Sequence, residues 1–304
     1  MKNAKLLGTI CIIITTICYG LVPSISFLSF GVGVETETLL FNKFFYAAIL
    51  IWGYIFIRRV DFRLNKETIK PMAFIMIAYI GIASFLYLSF DYISGSLATI
   101  ISFTYPAIVI AFEMIRGKER VRAVKIIAVI ISLLGMCLIV WSPDMKIQLL
   151  GVLFAFLCAL CYTVYIIKIA DDRLEGMHPL VTPAYVLAAS AIFNFGRCLI
   201  SGKPLFTTGM DQLTYILILA VVCAFIAILC YCVGVRLIGP TNSSIINTFE
   251  PACACVFGYL IIGDQITLSM IIGGILIIAA VLLTCIPDKE DKADRISDQY
   301  TKDF

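Results

Sequence analysis

Apolar segments long enough to cross a bilayer alternate with short polar loops along almost the whole chain. Eight of them contain no charged residue, and two more contain one charge each, Lys43 or Glu250. A transmembrane helix needs about 20 mostly apolar residues. The pattern therefore predicts an all-α integral membrane protein with ten transmembrane helices. The predicted spans are residues 6–34, 37–57, 71–90, 92–112, 126–143, 147–167, 176–196, 212–235, 241–262 and 265–287.

Short motifs recur in the two halves of the chain at a nearly constant spacing. Leu6-Leu7-Gly8 returns as Leu149-Leu150-Gly151 at an offset of 143 residues. Tyr105-Pro106 aligns with Glu250-Pro251 at an offset of 145 residues. Two registers with similar offsets indicate an internal repeat, as in many secondary transporters.

Each predicted repeat contains five spans, and an odd number makes the second repeat enter the membrane upside down. The sequence therefore predicts two inverted five-helix repeats, at residues 1–146 and 147–287. Residues 288–304 mix both charge signs and have few apolar residues, so they are predicted to be a disordered cytoplasmic tail.

Composition and charge agree with a membrane protein. The chain is 61% hydrophobic and 14% charged, against about 25% charge in a soluble domain. Its net charge of +3 and the scatter of its basic residues over loops argue against nucleic acid as a partner. With the N-terminus inside, 19 of the 23 basic residues fall on the inner side. This predicts a multi-pass plasma-membrane protein with both termini cytoplasmic.

Several kinds of site find little support in the sequence. Residues 6–34 carry no charge, and this run is longer than the roughly 7–15 residues of a signal-peptide core, so it is predicted to be a transmembrane helix. Cys158 and Cys161 have CxxC spacing but lie inside an apolar span, and His178 is the single histidine, so no metal site is expected. No Walker A motif or catalytic array is present, so we expect no cofactor and no enzymatic activity.

Glu250 is the main candidate for function. It lies near the middle of its predicted span, where a carboxylate is costly to bury, and intramembrane acids are usually functional. Ser243, Asn247 and Glu250 follow at i, i+4 and i+7 and are expected on one helix face. Glu250 could bind an amino group or carry a coupling proton, or it could be a structural acid. Pro251 removes a backbone donor and should interrupt the helix.

Lys43 is the second charge within a span. Counted from the two membrane faces, Lys43 and Glu250 should differ in depth by only about 7 Å. A salt bridge between them is therefore possible, and the alternative is that Lys43 extends to the outer interface.

Repeat symmetry adds further candidates. Ser102 and Tyr105 are the first-half counterparts of Asn247 and Glu250, and Tyr19 and Tyr162 are matched in helices 1 and 6. A cavity between inverted halves would be lined from both sides, although each of these residues could equally serve helix packing. The matched pair Asp91 and Arg236 is expected at solvated helix ends.

These features resemble a known family. Two five-helix halves, each with a proline in its fourth helix and an acid (Glu119 or Asp264) before its fifth, are similar to the drug/metabolite transporter superfamily, in particular its ten-helix EamA-type branch. The run 91–106 resembles that branch's third-to-fourth helix signature, and Glu250-Pro251 resembles its second copy. Asp264 departs from the family, which more often has Glu at this position.

The resemblance implies a central cavity lined by helices 1, 3, 4, 6, 8 and 9. It also implies that Pro106 and Pro251 break or bend helices 4 and 9, and that Lys43 is the basic residue often found in the second helix. It is specific for the fold and weak for the substrate, because the family handles amino acids, other metabolites and drugs.

The sequence thus predicts a secondary transporter that moves amino acids or related small metabolites by alternating access, coupled to the proton gradient. Its expected partners are a small-molecule substrate, the lipid bilayer and protons. Two alternatives stay open, a multidrug exporter of lipophilic cations and an uncoupled facilitative carrier. Helix 1 lacks the acid that small multidrug transporters place there, which weakens the first alternative.

Overall fold

The computed structural model describes residues 2–93, 95–117, 123–140, 148–263 and 267–284. Within these ranges the chain forms helices, turns and loops, and no strand. The predicted tail at 288–304, Glu119 and Asp264 lie outside the described residues.

The first half contains seven helices. They are α1 (Lys2–Gly20), α2 (Val22–Gly31), α3 (Thr36–Ile57), α4 (Lys66–Phe90), α5 (Gly95–Ser102), α6 (Tyr105–Ile115) and α7 (Ala123–Val140). The α1–α2 and α5–α6 pairs each form one interrupted span, so these helices make five crossings.

The second half contains six helices. They are α8 (Leu149–Ile169), α9 (Val181–Ser201), α10 (Met210–Ala220), α11 (Ala227–Asn247), α12 (Glu250–Phe257) and α13 (Leu268–Thr284). A six-residue π-helical segment joins α10 to α11. At Gly239 the backbone takes φ 82° and ψ 165°, a conformation that glycine adopts without strain, and Pro240 follows. The end of α11 beyond this kink therefore belongs to the ninth crossing, together with α12.

By length and composition, seven helical segments can cross a membrane, and three shorter apolar helices complete the ten. The structure thus confirms an all-α membrane fold of two inverted repeats. Two spans lie three or more residues later in the chain than predicted. The fourth runs over Gly95–Ile115 and the seventh over Val181–Ser201, later than 92–112 and 176–196.

The seventh span was misplaced because its bounds were taken from a run without charges. Asp171 accepts a hydrogen bond from the Arg173 backbone N–H and starts a short 3-10 turn, which keeps the following residues out of the helix. At the other end α9 continues past Arg197, because its guanidinium pairs with Glu37 of α3 at 3.4 Å. A paired charge is tolerated near a helix end.

Helix packing displays the symmetry between the halves. Helix α1 packs along α11, and their counterparts α8 and α4 pack along each other in the same way. A Cβ atom on Gly8 would lie 2.7 Å from Ile238, and one on Gly151 would lie 2.7 Å from Ile93. These are repeat-related contacts, since Gly8 matches Gly151 and Ile93 matches Ile238. Small residues let two transmembrane helices approach closely. Van der Waals contacts can then hold the helices together, since no hydrophobic force acts between them inside a bilayer.

The remaining helices pair with their own counterparts. Helix α3 packs on α9, and α7 packs on α13. In the second pair a Cβ atom on Gly135 would lie 2.6 Å from the Gly273 carbonyl oxygen, and the converse contact is equally close. The α1–α11 pair and the α4–α8 pair each join one helix of the first half to one of the second half. The interrupted crossings α5–α6 and α11–α12 lie beside these pairs.

Candidate functional site

Two matched helix interruptions lie next to each other in the interior. Helix α5 ends at Ser102 and α6 begins at Tyr105, with Pro106 in its first turn. Helix α11 ends at Asn247 and α12 begins at Glu250, with Pro251 in its first turn. Proline has no backbone N–H, so neither helix can continue its regular hydrogen bonding through this point. Both breaks fall at the same repeat position.

The break in the second repeat places Glu250 beside Asn247. Asn247 Nδ2 donates to Glu250 Oε2 at 3.3 Å. Thr16 Oγ1 of α1 lies 3.3 Å from Asn247 Oδ1 and also donates to the Ile12 carbonyl oxygen. Thr16 and Asn247 are fully buried, whereas Glu250 keeps some accessible surface. The amide of Asn247 therefore connects the Glu250 carboxyl group to α1.

Lys43 is buried inside the bundle. The residue is 8% exposed, and its Nζ lies 5.4 Å from the Phe44 ring centroid. Among the described residues, no carboxylate lies within 4.0 Å of Lys43 Nζ. The structure therefore holds one basic and one acidic side chain in its interior without an ion pair between them.

Tyrosine side chains from both halves gather around these charges. Tyr105 stacks on Tyr162 with ring centroids 4.6 Å apart and an interplanar angle of 17°. Tyr165 stacks on Tyr231 at 5.5 Å and 7°, and Tyr79 lies 5.1 Å from Tyr165. The Tyr105 hydroxyl donates to the Ser244 carbonyl oxygen at 3.4 Å.

Tyr19 also belongs to this group, because it lies near Tyr79. We call the whole set the tyrosine cluster. It consists of Tyr19, Tyr79, Tyr105, Tyr162, Tyr165 and Tyr231.

Two predicted residues lie apart from the charges. Ser243 is fully buried, and its hydroxyl has no hydrogen-bond partner in the described part of the chain. The Ser102 hydroxyl donates to the Thr99 carbonyl oxygen at 2.9 Å, so its own helix satisfies it. The predicted face of Ser243, Asn247 and Glu250 is not one continuous helix face, because the helix is interrupted between Asn247 and Glu250.

Sequence reasoning missed four residues of this region, Thr16, Tyr79, Tyr165 and Tyr231. Tyr165 follows Tyr162 by three residues on the same helix face, a spacing that could have indicated a second ring. Tyr79 and Tyr231 have no tyrosine at the matching repeat position, so symmetry gave no signal for them.

A separate cavity lies at the end of the bundle where α1 begins. It has a volume of about 490 Å³ and is lined by the ends of α6 and α8, by the kink of α11 at Gly239 and by the loop after α8. Its wall includes Ile169 and Val235, each four residues beyond Tyr165 and Tyr231 on the same helices. One helical turn therefore separates the cavity from the tyrosine cluster.

No metal centre is found. The described residues contain no group of three or more His, Cys, Asp or Glu side chains placed to hold a metal ion. Cys158 is buried and Cys161 is partly buried within α8, and neither is disulfide-bonded.

The inverted helical repeats, the paired proline breaks and the charged interior define a membrane transport fold. Residues 6–141 and 149–286 each match the EamA-like transporter family. The chain therefore belongs to the EamA-like transporter family and is a membrane transporter, and its partners include a lipid bilayer and a small-molecule substrate.

Relatives that are named transporters, and one solved structure with the same fold, are similar to this chain. An uncharacterized transporter of Clostridium kluyveri is 23% identical over 221 residues, which cover 68% of each chain. One from Archaeoglobus fulgidus is 22% identical over 281 residues, 91% of this chain and 95% of the relative. The uncharacterized transporter YcbK of Bacillus subtilis is 19% identical over 279 residues, 88% of each. A protein crystal structure with 15% identity has a TM-score of 0.78 and covers 93% of this chain and 97% of its own.

Proposed function

We propose that the protein is a secondary transporter that moves amino acids or related zwitterionic metabolites across the plasma membrane, coupled to the proton gradient. The observation that carries this proposal is that buried Lys43 and partly buried Glu250 both lie in the interior, and no carboxylate of the described residues lies within 4.0 Å of the Lys43 ammonium nitrogen. An unpaired buried charge is costly, so a site that keeps two of them apart gains from a ligand that supplies both complements.

A zwitterion fits these charges in one orientation. Its carboxylate would pair with the Lys43 ammonium group, and its ammonium group would pair with the Glu250 carboxylate. The tyrosine cluster supplies aromatic surface for the apolar part of the solute and hydroxyl groups for its polar edges. Asn247 would hold the Glu250 carboxyl group in place through its 3.3 Å hydrogen bond.

The same carboxyl group offers a route to proton coupling. Burial favours the neutral form of a carboxyl group, whereas a bound ammonium group favours its charged form. Solute and proton would therefore compete for Glu250, and each binding event of one would release the other. If the site faces the two sides of the membrane in turn, this competition exchanges solute on one side for protons on the other.

Alternating access would follow from the inverted repeats. In transporters built this way, one bundle moves against the other around a site near the midplane. The interruptions at Pro106 and Pro251 lie at that level and would serve as the points where helices bend. The distribution of basic residues supports cytoplasmic termini, which places the 490 Å³ cavity on the cytoplasmic side.

One alternative has an observation in its favour. Stacked tyrosines beside a carboxylate also suit a lipophilic cation, because aromatic faces attract cations. Lys43 opposes this reading, since a buried ammonium group repels a ligand that is only cationic. A multidrug exporter would therefore work as well or better without Lys43, whereas a zwitterion transporter would be impaired.

Uptake into proteoliposomes would test the proposal. A panel of amino acids would first be compared with three matched probes: L-leucine, which carries both charges, 3-methylbutylamine, which lacks the carboxylate, and 4-methylpentanoate, which lacks the ammonium group. We expect zwitterions to be moved at least about tenfold faster than either analogue, and an imposed pH gradient to drive their accumulation. Transport of the amine alone would favour the multidrug exporter, and indifference to the pH gradient and membrane potential would favour an uncoupled carrier.

A further inference from the structure

The cavity at the end of the bundle where α1 begins has a partly buried cation in its wall. Arg236 lies near the end of the straight part of α11, three residues before the Gly239 kink. Its Nη1 donates to the Met177 carbonyl oxygen at 3.2 Å, and its Nη2 donates to Thr182 Oγ1 at 2.7 Å. The sequence predicted a solvated helix end here, but the side chain instead folds against the loop after α8 and the start of α9.

The Arg236 guanidinium has no acidic partner in the described ranges. No carboxylate there lies within 4.0 Å of it. Its Nε is buried and has no hydrogen-bond partner among the described residues. An arginine carries five N–H donors, and the two neutral acceptors leave its charge uncompensated. An anion that accepts two hydrogen bonds from such a guanidinium group would stabilise its charge.

The acids in the cavity wall do not supply this anion. Glu113 pairs with Arg116 at 3.8 Å. Asp171 pairs with Arg173 at 2.8 Å and with Lys168 at 3.5 Å. Hydrogen bonds from the Arg173 guanidinium hold the pKa of Asp171 well below its usual range, so this carboxylate stays charged and occupied.

The other two acids of the wall, Asp172 and Glu175, are exposed to solvent. Among the described residues, the cavity wall therefore combines neutralised or solvated acids with one partly buried arginine that has no carboxylate within 4.0 Å.

We propose that this cavity is a second binding site, in which Arg236 takes the carboxylate of the transported solute before the solute reaches Lys43 and Glu250. The inference rests on the proposed function, because it assumes a solute with a carboxylate. A volume of about 490 Å³ accommodates a small metabolite. The cavity wall and the Tyr165–Tyr231 stack lie one helical turn apart, so a solute held at Arg236 lies next to the tyrosine cluster.

Chemical modification of the unaltered protein gives a test that does not depend on transport. The full chain in nanodiscs would be treated with phenylglyoxal, which modifies arginine, and the rate at Arg236 would be followed by peptide mass spectrometry. We expect 4-methylpentanoate and L-leucine to slow modification of Arg236 by about threefold or more, and 3-methylbutylamine to leave it unchanged. Equal rates with and without carboxylate would overturn the proposal.

Lipid phosphate offers the same chemistry as a carboxylate, so the bilayer composition must be varied. Nanodiscs of zwitterionic lipid would be compared with nanodiscs containing an anionic lipid. We expect protection by 4-methylpentanoate in both. If the anionic lipid protects Arg236 by itself and 4-methylpentanoate adds nothing in zwitterionic lipid, the site is a headgroup site and the proposal is wrong.

Variants separate this site from the central one. Arg236→Gln should raise the KM for the solute about tenfold while the maximal rate stays within about twofold, because Lys43, Glu250 and the tyrosine cluster are unchanged. Arg236→Lys should lie between the two, since an ammonium group keeps the charge but loses the bidentate geometry. Arg63→Gln removes an exposed arginine at the same end of the bundle and should change nothing.

Two outcomes have different meanings. Unchanged KM in Arg236→Gln, together with no carboxylate protection of Arg236 in the wild-type protein, would remove this site while leaving the proposed function intact. Failure of the wild-type protein to move any zwitterion would refute the proposed function itself. Thr182→Val removes one of the two bonds that hold Arg236 but keeps its charge. If Thr182→Val raises KM as much as Arg236→Gln does, the arginine acts as a brace for the loop and not as an anion site.

Discussion

Asn247 and Glu250 are joined by a 3.3 Å hydrogen bond across the point where the ninth membrane crossing is interrupted. Asn247 is the last residue of α11, and Glu250 is the first of α12. Residues three apart also lie on one surface of a regular helix, so the hydrogen bond keeps the Glu250 carboxyl group next to the Asn247 amide across the interruption. The acid is thereby positioned in the interior of the bundle.

The orientation in the membrane can be tested directly. Single cysteines at Arg63 and at Gly202, placed in a background without accessible native cysteines, should react with membrane-impermeant maleimide from opposite sides. The loop at Arg63 should be labelled only from the cytoplasm, because basic residues collect in cytoplasmic loops. Labelling of the Arg63 position from outside would invert the assignment of the 490 Å³ cavity to the cytoplasmic face.

The close contact at Gly8 should limit side-chain size there. Gly8→Val should destabilise the protein by about 1–3 kcal/mol, because its Cβ would meet Ile238 at 2.7 Å, and overpacking forces backbones apart. Gly151→Val should do the same at the symmetry-related contact with Ile93. Thermal unfolding followed by tryptophan fluorescence would measure both.

Gly53 provides the matched control for these variants. It lies within α3, and nothing approaches its Cβ position within 4 Å, so Gly53→Ala should leave the unfolding temperature equal or higher. If Gly8→Val and Gly53→Ala gave the same unfolding temperature, the α1–α11 contact would be looser than the structure shows.

The proline breaks should matter more for transport than for folding. Pro251→Ala restores a backbone N–H, so α11 and α12 can join into a more regular helix, which would change where the Glu250 carboxyl group lies relative to Lys43 and the tyrosine cluster. We expect transport to fall about tenfold or more while the unfolding temperature stays close to that of the wild type. Pro106→Ala makes the same change in the first repeat, where no acid follows the break. Full transport by Pro251→Ala would show that the break is dispensable.

Sequence reasoning reached the parts of this architecture that local patterns encode. Span number and repeat symmetry follow from hydrophobicity and from recurring motifs, such as Tyr105-Pro106 and Glu250-Pro251. Local sequence does not encode which residues from distant helices meet. Tyr79, Tyr165 and Tyr231 come together only because α4 packs on α8 and α8 on α11. Arg236 comes directly after the predicted span 212–235, which suggested a solvated position. Only the fold of the loop after α8 shows that its side chain is partly buried.

Lys43 should contribute to recognition of the carboxylate and not to stability through Glu250. In Lys43→Met, transport of L-leucine should fall about tenfold or more, because a buried cation that could bind its carboxylate is removed. Transport or binding of 3-methylbutylamine should stay equal or improve, since the repulsion between two cations is lost. The ratio of the two rates is the measurement, and an unchanged ratio would remove Lys43 from the site.

A double variant separates recognition from structural pairing. Because Lys43 and Glu250 form no ion pair within 4.0 Å, the changes in unfolding free energy of Lys43→Met and Glu250→Gln should add within about 0.5 kcal/mol. A double variant markedly more stable than the sum of its parts would mean that the two residues stabilise each other as a buried salt bridge.

Glu250 should be the residue on which pH dependence rests. Glu250→Gln keeps the size of the side chain and still accepts a hydrogen bond from Asn247 Nδ2, so the protein should reach the membrane folded. It cannot gain or lose a proton, and it cannot pair with an ammonium group. We therefore expect transport driven by a pH gradient to fall about a hundredfold, and the residual exchange to become independent of pH between about 5 and 8. Glu37→Gln is the matched control, because that acid pairs with Arg197 near the membrane surface at 3.4 Å and should not affect the pH profile. Wild-type transport with an unchanged pH profile in Glu250→Gln would exclude the residue from the mechanism, and the coupling group would then have to be sought elsewhere in the bundle.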